Sequence, residues 1–344
     1  MDEHGFDLHH HGDREVGDGL VDLAVNVRLP RPPEWLRREL ADCLADLAAY
    51  PDPGAATEAV AARHGREAAD VLPTAGAAEA FTLLATALTP REAVVVHPQF
   101  TEPEAALRAA GHPVRRVVLD ADDGFVLHPD AVPDTADLVF VGNPTNPTSV
   151  LHPAGTLRAL ARPGRLLVVD EAFLDAVPGE PESLAGRRLP GVVVLRSLTK
   201  TWGIAGLRAG YVLAEPDVID TLRAVQPPWS VSTPSAVALA ACSRADAVAE
   251  AEALAEDAQR DLGALVAGLG ELGGCGVEVP GTPRGPFVLI RVPDGARVRL
   301  RLRDEGYAVR RADTFPGLGP DWLRLAVRTD MAPFLKTLRA VLED

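Results

Sequence analysis

Lysine is almost absent from this 344-residue chain: of 34 basic residues only Lys200 and Lys336 are lysine, and every other basic position is arginine. Arginine stays protonated at any physiological pH, whereas lysine can lose its proton when its surroundings lower its pKa, and can then attack a carbonyl. Lys200, in RSLTKTWGIAGLRAGY (196–211), is therefore a candidate for amine chemistry. Biased codon usage also produces a composition rich in Ala, Arg, Gly and Pro, so scarcity alone does not assign the role. Cysteine is scarce too. Cys43, Cys242 and Cys275 form no CxxC pair and their number is odd, which argues against a disulfide framework or a zinc ribbon; reduced, structural thiols and no metal site are expected. No run approaches the ~18 consecutive apolar residues of a membrane helix. The start, MDEHGFDLHHHGD, is acidic and polar, unlike a signal peptide, so a cytoplasmic protein with no membrane partner is expected. Positive charge is also in deficit, 34 basic against 49 acidic residues for a net −15. This argues against a nucleic-acid partner, since phosphate neutralisation needs clustered Lys and Arg. An anionic substrate must then rely on a few well-placed arginines.

What is present is an alternation of apolar runs and helical stretches. Runs at 93–96 (AVVV), 114–119 (VRRVVL), 137–141 (DLVFV), 165–169 (RLLVV) and 191–195 (GVVVL) read as buried strands. Between them, 77–88, 102–110 and 154–161 read as helices, the spacing of βα units around a mostly parallel sheet. The segment 245–269 reads as one long amphipathic helix with a solvated acidic face. After it, 286–292, 306–310 and 322–327 read as strands of a smaller α+β domain, joined through QPPWSVSTP (226–234), a linker by its prolines and serines. No internal repeat or low-complexity tail is evident.

In an open α/β sheet, ligands sit at the carboxyl ends of the strands. DLVFV is followed by GNPTNPTS, LLVV by DEAF and GVVVL by RSLTK, so an asparagine, an aspartate and a lysine project from three strand ends. Taken with their order, NPTNPTS, DEAF and SLTKTWGIAGLRAGY resemble the N-P-T-G, D-E-A-Y and S-x-x-K motifs of the fold-type I pyridoxal-phosphate enzymes, within the histidinol-phosphate aminotransferase group. The resemblance runs from Asp22 to about Arg328. It implies an α/β fold, with a mostly parallel central sheet flanked by helices and a smaller α+β C-terminal domain. The implied division is an N-terminal arm and small-domain segment (1–39), a large cofactor-binding domain (40–225) and a small domain (226–344).

By that resemblance, Lys200 would hold pyridoxal 5'-phosphate as a Schiff base and transfer protons, Asp170 would face the pyridine nitrogen, and Asn146 would donate to the phenolic oxygen. Phe100 would stack on the ring. Gly76, Ala77 and Ala78 open a helix whose free N–H groups suit a phosphate, with Ser197, Thr199 and Arg208 completing the cup. Tyr50 resembles a tyrosine that reaches the phosphate from the other subunit of a homodimer. Phe173 replaces the motif's tyrosine, Ser149 its last glycine, and Ala78 a commonly polar residue; losing the tyrosine hydroxyl removes one hydrogen bond to the cofactor.

Within the group, HHGD, VDLAVNVR, DEAF and VRRADTFPGLGPDWLRLAVR are more similar to the L-threonine-O-3-phosphate decarboxylases of cobalamin biosynthesis. That similarity implies a carboxy-lyase releasing CO2 and (R)-1-aminopropan-2-ol phosphate. A phosphorylated amino acid would be held by His11, Gly12, Asn26, Arg310 and Arg324, with Arg311 the alternative to Arg310. The competing expectation is an aminotransferase acting on histidinol phosphate or a related donor. A non-catalytic cofactor-binding regulator is disfavoured by the intact Lys200.

Overall fold

The protein is described from a computed structural model covering residues 5–344; the first four residues of the acidic start lie outside them. Eleven strands are found among the described residues: β1 (Val21–Leu23), β2 (Val71–Thr74), β3 (Ala93–His97), β4 (Val114–Val118), β5 (Leu138–Gly142), β6 (Leu166–Asp170), β7 (Val192–Ser197), β8 (Gly210–Leu213), β9 (Phe287–Arg291), β10 (Tyr307–Arg311) and β11 (Trp322–Ala326).

Seven of them form one sheet in the order β2-β8-β7-β6-β5-β3-β4. From β7 to β4 all neighbours are parallel, and β8 alone runs antiparallel to both of its neighbours. The runs of β3, β5, β6 and β7 are buried because helices cover both faces, the usual condition of a parallel sheet; the run 114–119 departs from the expected burial, since β4 is an edge strand that leaves Arg115 and Val118 exposed. Strand alternation sorts β7 accordingly: Val193 and Leu195 join Phe81, Leu84, Leu107 and Leu222 on one face, while Val192 and Val194 join Val60, Leu157 and Leu239 on the other. β2 and β8 give no clear signal in the sequence, since each has four residues and β2 contains Pro73. Proline is tolerated there because β2 is an edge strand.

The second sheet has the order β1-β10-β11-β9, with β1 parallel to β10 and the other pairs antiparallel. The helix Ala245–Gly270 serves both cores. Its Ala247 and Ala251 pack with the seven-stranded sheet, and its Leu262, Leu265 and Leu269 with the four-stranded one. The two sheets are thus joined by a single rigid rod as well as by loops. The two sheets meet at a common cleft, where Arg324 in the middle of β11 reaches Asn146 in the turn beyond β5.

Candidate active site

Asp170 is the last residue of β6 and Asn146 sits in the turn after β5. Lys200 follows β7 by three residues. The three strand-end residues converge on one cavity of about 480 Å³. Burial, Arg208 and Arg324 together lower the Lys200 pKa to about 8, with Asp170 opposing them. Burial raises Asp170 to about 6, against the hydrogen bond its Oδ1 accepts from the Ala172 amide (3.0 Å) and the charge of Lys200. An amine poised near neutrality beside a recessed carboxylate is a feature of catalytic sites rather than of surfaces.

One end of the cavity is built for an anion. Gly76 (φ +79) precedes the helix Ala77–Ala87, whose N-terminus has no side-chain cap. A Cβ on Gly76 would lie 2.7 Å from Arg208 Nη2, so only glycine lets this arginine close over the helix end. Ala77, Ala78, Ser197, Thr199 and Arg208 all line the cavity, and the hydroxyls of Ser197 and Thr199 are 2.8 Å apart. Free amides, two hydroxyls and a guanidinium make a phosphate-sized donor set.

At the other end stands Arg324. Its Nη1 donates to Asn146 Oδ1 at 2.6 Å, its Nη2 donates to the Ala24 carbonyl, and its Nε has no protein partner. Its proton affinity is pushed down by burial and by Arg310 and Arg328, with Asp22 alone opposing. A buried cation without a carboxylate partner calls for an anionic ligand. Because Asn146 spends its oxygen on Arg324, its amide N–H donors remain for another acceptor.

The remaining expected residues fall in two groups. His11, Gly12, Asn26, Phe100 and Phe173 line the cavity. The His11 ring lies 5.5 Å from that of Phe100, and Phe173 sets its edge against Phe287 at 4.9 Å. His11 also pairs with Glu102 at 2.6 Å. Arg310 and Tyr50 do not line the cavity. Arg310 donates to the carbonyls of Arg311 (2.6 Å) and His10 (2.7 Å) and to the Thr314 hydroxyl (2.7 Å), and Arg311 pairs with Asp313. Tyr50 is 75% exposed and stacks on Trp229 at 4.2 Å. The sequence reading missed the Ala24 carbonyl, whose backbone chemistry has no residue signature, and Asp13, one more acid in an acidic arm.

The profile of the aminotransferase class I and II family matches residues 18–338. The chain belongs to this family. Fold type I and dependence on pyridoxal phosphate come with this membership. A histidinol-phosphate aminotransferase of Mycobacterium tuberculosis is 52% identical over 324 residues, covering 93% of this chain and 87% of that protein. The threonine-phosphate decarboxylase of Salmonella typhimurium is 31% identical, covering 91% and 88%. Among solved structures, the histidinol-phosphate aminotransferase from Clostridium acetobutylicum superposes with a TM-score of 0.84 at 21% identity, covering 93% and 98%. This last likeness speaks for the fold alone.

These findings correct the expectation of a carboxy-lyase. Over the aligned residues the aminotransferase relative is 52% identical to this chain against 31% for the decarboxylase, and lyase chemistry in cobalamin biosynthesis gives way to the competing reading. The physical reason lies in the residues used to infer it. His11, Asn26 and Arg324 suit any small anionic substrate, and the second anchor, Arg310, has its donors taken up by protein oxygens.

The site also fits the family's cofactor. Gly76 leaves a cradle against Arg208 that any larger residue would fill, and the acid, amine and amide stand around one cavity. Among the described residues no group of three or more His, Cys, Asp or Glu forms a metal cage, and no helix is long and apolar enough to cross a membrane.

Proposed function

We propose that the protein is an aminotransferase that moves the amino group of histidinol phosphate, or of a closely related phosphorylated amine, to 2-oxoglutarate. The observation that carries this reading is the 52% identity, over 93% of the chain, to a histidinol-phosphate aminotransferase. The cavity supports it by pairing an anion cup with a separate buried arginine.

Arg208, Ser197, Thr199 and the amides of Ala77 and Ala78 would hold the cofactor phosphate. Asp170 would meet the ring nitrogen, Asn146 the phenolic oxygen, and Phe100 the ring face. Bound there, the cofactor supplies an electron-withdrawing ring that weakens the bonds at the α-carbon of an amine. The Lys200 amine would carry the proton away from the α-carbon of the amine donor in one half-reaction and supply one to the α-carbon of the keto acid in the other, a role suited to an amine whose pKa burial and the neighbouring arginines lower to about 8. Arg324 would orient the anionic group of either substrate, the phosphate of histidinol phosphate or the carboxylate of glutamate and 2-oxoglutarate, and thereby decide which bond at the α-carbon stands ready to break. The N-terminal arm lends His11, Gly12 and Asp13 to the cavity wall and is tied down just before them, where Thr101 Oγ1 donates to the Leu8 carbonyl at 2.6 Å and Arg310 donates to that of His10.

We also propose that the working unit is a homodimer, with the exposed Tyr50 entering the partner's cavity, and that the chain divides into an arm (1–39), a large domain (40–225) and a C-terminal part (226–344) whose first helices lend Leu239, Ala247 and Ala251 to the large domain's core. The test of function is product analysis with purified protein. Histidinol phosphate plus 2-oxoglutarate is expected to yield glutamate. Release of CO2 from L-threonine O-3-phosphate with no glutamate from histidinol phosphate would overturn the proposal.

A further inference from the structure

Ser149 stands at the last position of the NPTS turn, where the motif it resembles has glycine. Its φ is +64, the left-handed region that residues bearing a Cβ disfavour, and it is fully buried. Backbone held in such a conformation, at the end of a cofactor-binding turn, is a reason to ask what the side chain does there.

Its hydroxyl accepts the amide N–H of Gly285 at 2.8 Å and donates to the Gly285 carbonyl at 3.3 Å. The Ser149 carbonyl accepts the Arg284 amide at 2.8 Å, and Val150 bridges Pro283. The turn after β5 is therefore stitched to the segment leading into β9, which belongs to the other sheet. Both ends of the stitch touch the site. Three residues before Ser149, Asn146 accepts the Arg324 hydrogen bond. Two residues after Gly285, Phe287 lies 5.6 Å beneath the Arg324 guanidinium and 4.9 Å from Phe173. β9 is also the strand paired with Arg324's own strand, Arg324 opposite Leu289.

We propose that Ser149 is a positioning residue: by clasping Gly285 it fixes the Asn146 turn against β9 and β11, and so sets how tightly Arg324 binds a substrate carboxylate. Glycine at this position would satisfy the backbone but supply no hydroxyl. The inference rests on the proposed role of Arg324 as the carboxylate anchor.

The test uses holoenzyme carrying Ser149→Gly, which relieves the left-handed backbone and is expected to fold, and Ser149→Ala, which keeps the backbone demand and loses only the hydroxyl. Calorimetric titration with succinate, a non-reacting dicarboxylate, reads the Arg324 site without turnover. Hydrogen exchange reads the Gly285 amide. Both variants are expected to weaken succinate roughly tenfold, to raise KM for glutamate by a similar factor with kcat within about twofold, and to speed exchange at Gly285. Unchanged succinate affinity, unchanged Gly285 exchange, or a loss confined to kcat overturns the proposal. Wild-type holoenzyme that binds no succinate overturns it as well. If the wild type binds succinate but does not use histidinol phosphate, the functional reading fails alone and the succinate comparison still judges the clasp.

Discussion

Replacing Lys200 by methionine is expected to stabilise the apoprotein at neutral pH and to have almost no such effect in strong alkali. Folding carries the Lys200 amine from water to the cavity beside Arg208 and Arg324 and lowers its pKa from 10.5 to about 8. Between those values the folded chain binds fewer protons than the unfolded one, so protonation favours unfolding there. Below pH 8 the penalty is complete. At about 1.36 kcal/mol per decade of proton affinity it amounts to roughly 3 kcal/mol at pH 7, about 2 kcal/mol at pH 9 and less than about 0.5 kcal/mol at pH 10.5. Methionine has a similar length and no charge, so it removes the penalty without leaving a large void. Urea unfolding of both apoproteins at the three pH values, extrapolated to water, measures the difference directly. The two stabilities are expected to converge as the pH rises. A gap that does not change with pH, or a variant less stable than the wild type at pH 7, would refute the placement of this amine in a desolvated, cation-lined site. The same shift leaves about half of Lys200 uncharged at pH 8, against under ~1% of an ordinary lysine.

Other outcomes follow from the same geometry. Asp170, raised to about 6 by burial, is an anion above that pH and neutral below it, so apoprotein affinity for pyridoxal phosphate is expected to fall as pH drops through about 6; fluorescence titration of Asp170→Asn should show weaker binding with no such step. Gly76→Ala drives a methyl to 2.7 Å from Arg208 Nη2 at a φ of +79, and equilibrium dialysis should find cofactor affinity reduced roughly tenfold or more. Arg324→Gln is expected to weaken glutamate by roughly ten- to a hundredfold, while Arg311→Gln, whose parent arginine pairs with Asp313 at the surface, leaves KM unchanged; equal losses in the two variants would contradict the buried anchor. Neither single variant of Lys200→Ala and Tyr50→Ala should be active, yet subunit exchange between them should restore activity in mixed dimers if Tyr50 serves the partner's cavity.

Much of this protein was legible before any coordinates. Apolar runs such as AVVV and GVVVL could only be strands buried on two faces, and the helices between them forced the strands to be parallel. Strand-end chemistry was legible for the same reason: in a parallel sheet the residues after each run share one edge, so Asn146, Asp170 and Lys200 had to meet. The helix-start rule pointed to Gly76 as part of an anion cup, whereas Arg208 was assigned to it by the family resemblance. What the one-dimensional order withheld was long-range pairing and the way hydrogen-bonding capacity is shared out. β1 joins β10 across almost the whole chain, and β2 and β8 are too short or too proline-broken to declare themselves. Arg310 and Arg324 face each other in register on neighbouring strands, and nothing in VRRAD or WLRLAV tells which is free for a ligand. Tertiary structure decided it, because the arm's His10 carbonyl and Thr314 occupy Arg310 while Arg324 lines the cavity. The choice of reaction lay outside local pattern as well, since one cofactor and one set of strand-end residues serve several outcomes; likeness over the whole chain weighed against the lyase, while the fold decided which arginine stands in the cavity where a substrate would be oriented.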